Sequence, residues 1–119
     1  MAKGKVFKIC ETSPYVEPGK HTLTHLFPLI NPKTCPGAQY ELHLIEIRPG
    51  GMAEDDVHLN EDHAFFCVSG RAMAVVDGEE ILVEPGCALY VPKGATHSFS
   101  VLGGEVFRIV VVFAPSRQM

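Results

Sequence analysis

Turn-forming Gly and Pro residues divide the chain into short segments, and this punctuation restricts the fold more than any other feature. Five turn signals separate runs of β-branched and apolar residues: Pro49-Gly50-Gly51, Asp77-Gly78, Pro85-Gly86, Pro92-Lys93-Gly94 and Gly103-Gly104. The Asp77-Gly78 pair is a strong hairpin signal because a type I′ turn requires positive φ at both central residues. No window has helical periodicity of useful length. The pattern predicts an all-β fold, an antiparallel sandwich or barrel of short strands.

The apolar runs between these signals also predict how the sheets are covered. The candidate strands are residues 6–9, 22–29, 39–48, 57–59, 64–69, 72–76, 79–84, 88–91, 96–102 and 106–113. The last of them is nearly continuous in apolar residues, which indicates that both of its faces are covered. One face would pack on the core and the other on a second copy of the chain, with the N-terminal runs adding to a neighbour's sheet edge. We therefore predict a homodimer; a central strand of a well-covered monomer is the alternative.

Composition limits the classes of function. The 119 residues are predicted to form one domain, residues 1–119, and at 46% hydrophobic they can bury a core. A net charge of −4 without any Lys/Arg cluster argues against nucleic-acid binding. The sequence has no apolar run long enough for a membrane helix and no signal peptide, so no membrane partner is expected. The four scattered cysteines form no Cys-x-x-Cys pair, and we expect free thiols in a cytoplasmic protein.

The clearest chemistry lies in a short stretch rich in acids and histidines. Asp56 and His58 are two residues apart, so on an extended strand their side chains project from the same face. A polar segment follows that would turn the chain, and His63 would open the returning strand, so that one hairpin supplies three ligands. His97, just after a Pro-Lys-Gly turn, is a fourth candidate. Imidazoles with one carboxylate suit Fe, Mn, Ni, Cu or Zn, so the stretch is interpreted as a metal site. The alternative is that its acidic residues form a solvated surface loop that binds no metal.

The spacing of these residues resembles that of the cupin superfamily, small jelly-roll β-barrels that often hold one metal. The family's first motif is G(X)5HXH(X)4E(X)6G, and Gly50, Asp56, His58, His63 and Gly70 stand at its fixed positions. Asp56 replaces the first family histidine, and His63 replaces the family glutamate. The two changes are reciprocal, so the resemblance still implies a set of three imidazoles and one carboxylate.

The family's second motif, G(X)5PXG(X)2H(X)3N, is matched by Gly86, the Pro-Lys-Gly turn and His97, with Val101 in place of the asparagine. The two motifs cover residues 50–101, the metal-motif core. Residues 1–48 would supply strands that lie partly at the dimer interface. The resemblance implies a single cupin jelly-roll barrel with one divalent transition metal (Fe, Mn, Ni, Zn or Cu) held by Asp56, His58, His63 and His97.

Strand parity extends the candidate site beyond the metal ligands. Glu41 and His43 share a face with Ile45 and Ile47, so they point toward the cavity if these isoleucines fill the barrel. His43 and Glu41 are therefore the candidate catalytic residues, with His43 as a general base or as the group that holds a substrate carboxylate. The alternative is that both lie at the solvated end of the strand.

The same parity predicts the lining of a substrate pocket. Phe65, Cys67 and Phe99 lie two or four residues from the ligands on the same strand faces, which predicts that they line the pocket. Core packing is the alternative for the phenylalanines. His21 and His25 would reach a partner's pocket only if the N-terminal strand is exchanged between chains.

The leading interpretation is a cytoplasmic, metal-dependent enzyme that acts on a small polar organic molecule. Within the superfamily the resemblance implies dioxygenases, isomerases, lyases and hydrolases. Dioxygenase chemistry has a slight advantage because three histidines and a carboxylate are a common oxygenase set among cupins. Ureidoglycine aminohydrolases, which use manganese, also place a carboxylate before two histidines, although with different spacing and two cupin domains. A non-catalytic ligand-binding protein and a barrel merely stabilised by metal are the alternatives.

Overall fold

The structure is a computed structural model in which residues 3–117 are described. Over that range the chain forms a 3₁₀ turn at Ile9–Glu11 and nine strands, each antiparallel to its neighbours. In chain order they are β1 (Tyr15–Val16), β2 (His21–Ile30), β3 (Glu41–Val57), β4 (Asp62–Ser69), β5 (Arg71–Val76), β6 (Glu79–Val83), β7 (Ala88–Val91), β8 (Thr96–Leu102) and β9 (Phe107–Ala114). The predicted all-β fold, a nearly closed antiparallel barrel, is therefore confirmed. In residues 3–117 no helix is long and apolar enough to cross a membrane.

The long strand β3 joins the two sides of the barrel. Its residues 41–47 pair with β9, its residues 52–57 pair with β8, and β2 runs beside both parts. The turn predicted at Pro49-Gly50-Gly51 is instead a bend within this strand. Gly50 has φ +85°, and a Cβ on Gly51 would lie 2.7 Å from the Thr22 carbonyl oxygen of β2. The two glycines thus let β3 bend while it stays paired with β2. As a result, the strand predicted at residues 39–48 continues to the start of the strand predicted at residues 57–59.

Two other local predictions have opposite outcomes. The Asp77-Gly78 hairpin is confirmed, because these residues have φ values of +46° and +83° and connect β5 to β6. The strand predicted at residues 6–9 is wrong: residues 3–8 carry no strand, and a 3₁₀ turn begins at Ile9. Val6 is 86% exposed while Phe7 and Ile9 are half-buried, so this run packs one side on the protein but has no pairing strand within the described chain.

The connection between β3 and β4 is also not the predicted hairpin. The two strands do not pair, since β9 lies between them and hydrogen-bonds to both. Residues 58–61 therefore form a crossing loop rather than a tight turn. The loop is short, so the end of β3 and the start of β4 remain at the same end of the barrel.

Alternation along the central strands fills the barrel interior. Every second residue is buried in residues 41–47 of β3 and throughout β9. The buried sets are Glu41, His43, Ile45 and Ile47 on β3, and Phe107, Ile109, Val111 and Phe113 on β9. Most of these side chains are apolar and form the core. Glu41 and His43 are the polar members, and they lie at the same end of the interior because they precede the two isoleucines.

The outer face of the same sheet is apolar as well. Phe66 and Val68 on β4 and Tyr90 on β7 are 48%, 52% and 62% exposed. Val110 and Val112 on the adjoining β9 are half-buried, and Val110 stands directly opposite Phe66. Strand β9 thus has apolar side chains on both faces, and the core covers only the inner one.

Candidate metal centre

Three imidazoles meet at one end of the barrel. His58 directly follows β3, while His63 lies in β4 and His97 in β8. The ring centroids of His58 lie 4.3 Å from His63 and 5.4 Å from His97, and those of His63 and His97 are 5.8 Å apart. The structure therefore brings together the three histidines that the sequence indicates as metal ligands.

Asp56, the fourth predicted ligand, lies on the solvent side of this cluster. Its Oδ2 is 3.6 Å from Nε2 of His58, and its Oδ1 is 3.9 Å from Nζ of Lys20. In the ladder between β3 and β8, Asp56 stands directly opposite His97. The carboxylate is 36% exposed and is shared between the cluster and a lysine.

Burial keeps two of the imidazoles neutral. Desolvation, together with the neighbouring His58 and His97, lowers the pKa of His63 to about 4. Desolvation and the nearby His58 also lower the pKa of His97. Nδ1 of His97 is buried and has no hydrogen-bond partner among residues 3–117. Neutral imidazole is the form that binds metals, and a buried nitrogen without a partner is costly unless a ligand satisfies it.

The donor set fits a divalent transition metal in its chemistry, although its donor atoms do not converge. Within residues 3–117, no group of three or more His, Cys, Asp or Glu side chains is arranged to hold an ion. The His58 ring packs against its two neighbours at interplanar angles of 30° and 29°, so the rings lie partly face to face. Three imidazoles and one carboxylate suit Fe, Mn, Ni, Zn or Cu.

A cavity of about 200 Å³ adjoins the imidazoles. Phe65 and Phe99 line it, with ring centroids 5.1 Å apart, and Phe65 lies 5.8 Å from the His97 ring. The rest of the wall is largely aliphatic and aromatic, with Phe113 close to the polar end. An apolar wall between polar groups is typical of a site for a small organic molecule.

The two candidate catalytic residues form a buried pair. Nε2 of His43 lies 3.1 Å from Oε1 of Glu41, and the two side chains are 4% and 0% exposed. His43 lines the cavity, whereas Glu41 lies behind it. Burial lowers the pKa of His43 despite the opposing effect of Glu41, and its Nδ1 has no hydrogen-bond partner in residues 3–117. With Nε2–H donating to the carboxylate, Nδ1 is the unprotonated nitrogen of the ring.

Three other sequence-selected residues lie elsewhere than expected. Cys67 does not line the cavity; it is fully buried in the core, and its thiol lies 3.4 Å from the Ser69 carbonyl oxygen. Cys67 shares the inward face of β4 with His63 and Phe65, but it lies farther along the strand, where the core fills the interior. His21 lines the cavity of its own chain, so it needs no strand exchange, while His25 lies outside it.

Arg117 is a site residue that no sequence motif marks. It lines the cavity, with its guanidinium carbon 4.5 Å from the centroid of Phe113. Its backbone N–H donates to Oε2 of Glu41 at 2.7 Å, and its Nε lies 3.6 Å from the same oxygen. A single arginine beyond the last strand carries no spacing pattern, so only the folded chain reveals its position.

Comparison with known proteins establishes the family. A family model described as a cupin domain matches residues 43–113, more than half of the chain. The chain belongs to the cupin family. The matched region contains His43 and all four predicted metal ligands. The resemblance to cupins that the two motifs indicated is therefore confirmed.

Individual relatives are more distant. This cupin is 28% identical over 87 residues to the tetracenomycin polyketide synthase protein TcmJ of Streptomyces glaucescens, covering 73% of the chain and 58% of TcmJ. It is 32% identical over 66 residues to quercetin 2,3-dioxygenase of Bacillus subtilis, covering 56% of the chain and 19% of that enzyme. The chain thus spans less than two thirds of either relative.

Solved structures support the same fold. The polyketide cyclase RemF from Streptomyces resistomycificus has a TM-score of 0.83 and 22% identity, covering 98% of this cupin and 83% of RemF. At this level of identity, the similarity establishes the barrel architecture alone.

Proposed function

We propose that this cupin binds one divalent transition metal through Asp56, His58, His63 and His97 and is an enzyme for a small organic substrate. The observation that carries the proposal is the cluster of three imidazoles on the wall of a largely apolar cavity. Nδ1 of His97, which is buried and has no hydrogen-bond partner among residues 3–117, supports it further. Such a metal, one of Fe, Mn, Ni, Zn or Cu, would supply Lewis-acid activation of a substrate oxygen or of dioxygen.

The chain's own residues would bind the substrate and move a proton. The apolar wall, including Phe65 and Phe99, excludes water and holds a ring-sized body. Glu41 accepts the Nε2–H of His43 and so fixes the tautomer in which Nδ1 is unprotonated, on a ring that lines the cavity. His43 is thus the general base and Glu41 the positioning residue behind it.

Dioxygen-dependent oxidation is the first candidate reaction. The ligand set of three histidines and one carboxylate favours it, as does the similarity to quercetin 2,3-dioxygenase. The test is to load the full chain separately with Fe(II), Mn(II), Ni(II), Cu(II) and Zn(II). Oxygen uptake is then measured with catechols and cyclic enols as probes. We expect uptake with at least one metal form, lost in His58→Ala; no uptake with any form would exclude this reaction for these probes.

Proton transfer without dioxygen, as in an isomerase, a lyase or a cyclase, is the second candidate. The buried Glu41–His43 pair favours it, because a positioned base is central to such reactions. The polyketide cyclase RemF has the same barrel architecture, so the fold is compatible with a reaction of this class. Anaerobic turnover or solvent-deuterium exchange into the same probes, lost in His43→Phe, would establish this reaction. Binding without any conversion would indicate a ligand-binding protein.

We also propose that the protein is a homodimer in a reducing, cytoplasmic setting. A second copy would cover the outer apolar face of Phe66, Val68, Tyr90, Val110 and Val112, because soluble monomers rarely expose large contiguous apolar patches. The first part of β3, within residues 1–48, adjoins this face through its pairing with β9. In a two-fold dimer, the same apolar face of each copy would pack against that of the other. The four free cysteines favour a reducing compartment.

A further inference from the structure

Glu41 is an unusual residue for the interior of a barrel. Its side chain is fully buried, and a buried carboxylate is costly unless hydrogen bonds and opposite charge compensate it. The compensation comes from two sources, the Nε2 of His43 and the residue Arg117. Because the pKa of His43 is lowered, Arg117 supplies the positive charge at this end of the cavity.

The segment that carries Arg117 is fixed to the start of β3. The Ser116 amide donates to the Gln39 carbonyl oxygen at 3.1 Å, and the Ser116 hydroxyl donates to the Ala38 carbonyl oxygen at 2.6 Å. The Arg117 amide then donates to the Glu41 carboxylate. A half-exposed arginine following the last strand would ordinarily sample many rotamers, whereas here its backbone is held and its guanidinium lies over the Phe113 ring.

The guanidinium shares the cavity with both histidine groups. The Phe113 ring that it covers lies 5.4 Å from the His43 ring and 4.9 Å from the His63 ring. Among the described residues that line the cavity, Arg117 is the only Lys or Arg. Within residues 3–117 its two Nη nitrogens make no hydrogen bond or ion pair, since only Nε and the amide face Glu41. A planar fork of donors is therefore available to a ligand.

We propose that Arg117 binds the carboxylate of the substrate, so that this cupin acts on a small organic acid with an apolar, ring-sized body. The other end of this acid would face the imidazole cluster, and that placement rests on the metal site proposed above. Guanidinium and carboxylate match in a bidentate geometry that lysine does not reproduce. The cavity of about 200 Å³ is smaller than the roughly 300–1,000 Å³ typical for drug-sized ligands, which limits the acid to about one ring.

Benzoate and benzamide are suitable probes because they share a shape and differ in charge. Each is titrated calorimetrically into the full chain after metal removal with EDTA, so that no metal competes for the carboxylate. We expect benzoate to bind roughly tenfold or more tightly than benzamide, as for a charge-assisted hydrogen bond. Arg117→Gln should remove this preference, and Arg117→Lys should retain only part of it. Arg48→Gln, an exposed arginine outside the cavity, is the matched control and should keep the preference.

Near-ultraviolet circular dichroism and thermal unfolding establish that each variant is folded. The inference is overturned if benzoate does not bind, if benzamide binds equally well, or if the preference survives Arg117→Gln. Metal content is measured in parallel on the same proteins. A preference that depends on Arg117 in a chain that binds no metal would overturn the proposed metal centre alone. Stoichiometric metal without the preference would overturn the carboxylate site alone.

Discussion

Acid should destabilise the metal-free protein through His63. This residue is 6% exposed, and burial with two neighbouring imidazoles lowers its pKa to about 4, against about 6.5 in an unfolded chain. Between these values the unfolded state binds a proton that the folded state does not, so the free energy of unfolding falls as the pH falls. The total loss is about 3 kcal/mol, of which about 2 kcal/mol occurs between pH 7 and pH 4.5.

Urea unfolding in EDTA at several pH values measures this loss. His63→Phe keeps a ring between Phe65 and Phe113, 5.9 Å and 4.9 Å from the present imidazole centroid, but removes the titrating group. The variant should lose about 2 kcal/mol less than the native chain over this range. His25→Phe, outside the cavity, is the matched control and should retain the native loss. An equal loss in the native chain and in His63→Phe would refute the assignment of a neutral, buried imidazole at this position.

Three further predictions concern residues that organise the site or its surroundings. Glu41→Ala should lower the free energy of unfolding by about 2 kcal/mol or more, because it leaves the buried His43 imidazole and the partly buried Arg117 amide without their acceptor. Glu41→Gln should cost less, and equal urea midpoints for the two variants would contradict this reasoning. Gly70→Ala should cost about 2 kcal/mol or more, since φ is +73° and a Cβ would lie 2.5 Å from a carbonyl oxygen. The matched change Gly104→Ala meets nothing within 4 Å and should be nearly neutral by thermal unfolding. Phe66→Lys should convert a dimer into a monomer in sedimentation, whereas Leu82→Lys on β6, also an exposed apolar residue, should not; a native monomer would reject the proposed interface.

The sequence predicted the fold well because its signals are local. The Asp77-Gly78 hairpin and the period-two alternation in the first part of β3 depend only on turn chemistry and side-chain direction. Where the outcome depended on a neighbour, prediction failed. The predicted Gly50-Gly51 turn is a bend because β2 remains paired beside it, and residues 6–9 have no pairing strand in the described range 3–117.

The candidate site shows the same division. Motif spacing selected His58, His63 and His97, which the fold brings together from separate strands. Parity correctly placed Cys67 on the inward face of β4, but it does not tell where along the strand the cavity ends and the packed core begins. Arg117 had no motif and no strand position, and its role depends on a buried carboxylate 76 residues away along the chain. Such contacts are properties of the packed molecule.

The most direct test of the account is the metal content of the purified full chain. Elemental analysis, with anomalous scattering to locate the ion, should find about one divalent transition metal per chain at the imidazole cluster. His58→Ala should lose that metal while circular dichroism shows the barrel intact, because this residue follows β3 and is not part of the core. A native chain that binds no transition metal, or an ion that His58→Ala retains, would contradict the proposed centre.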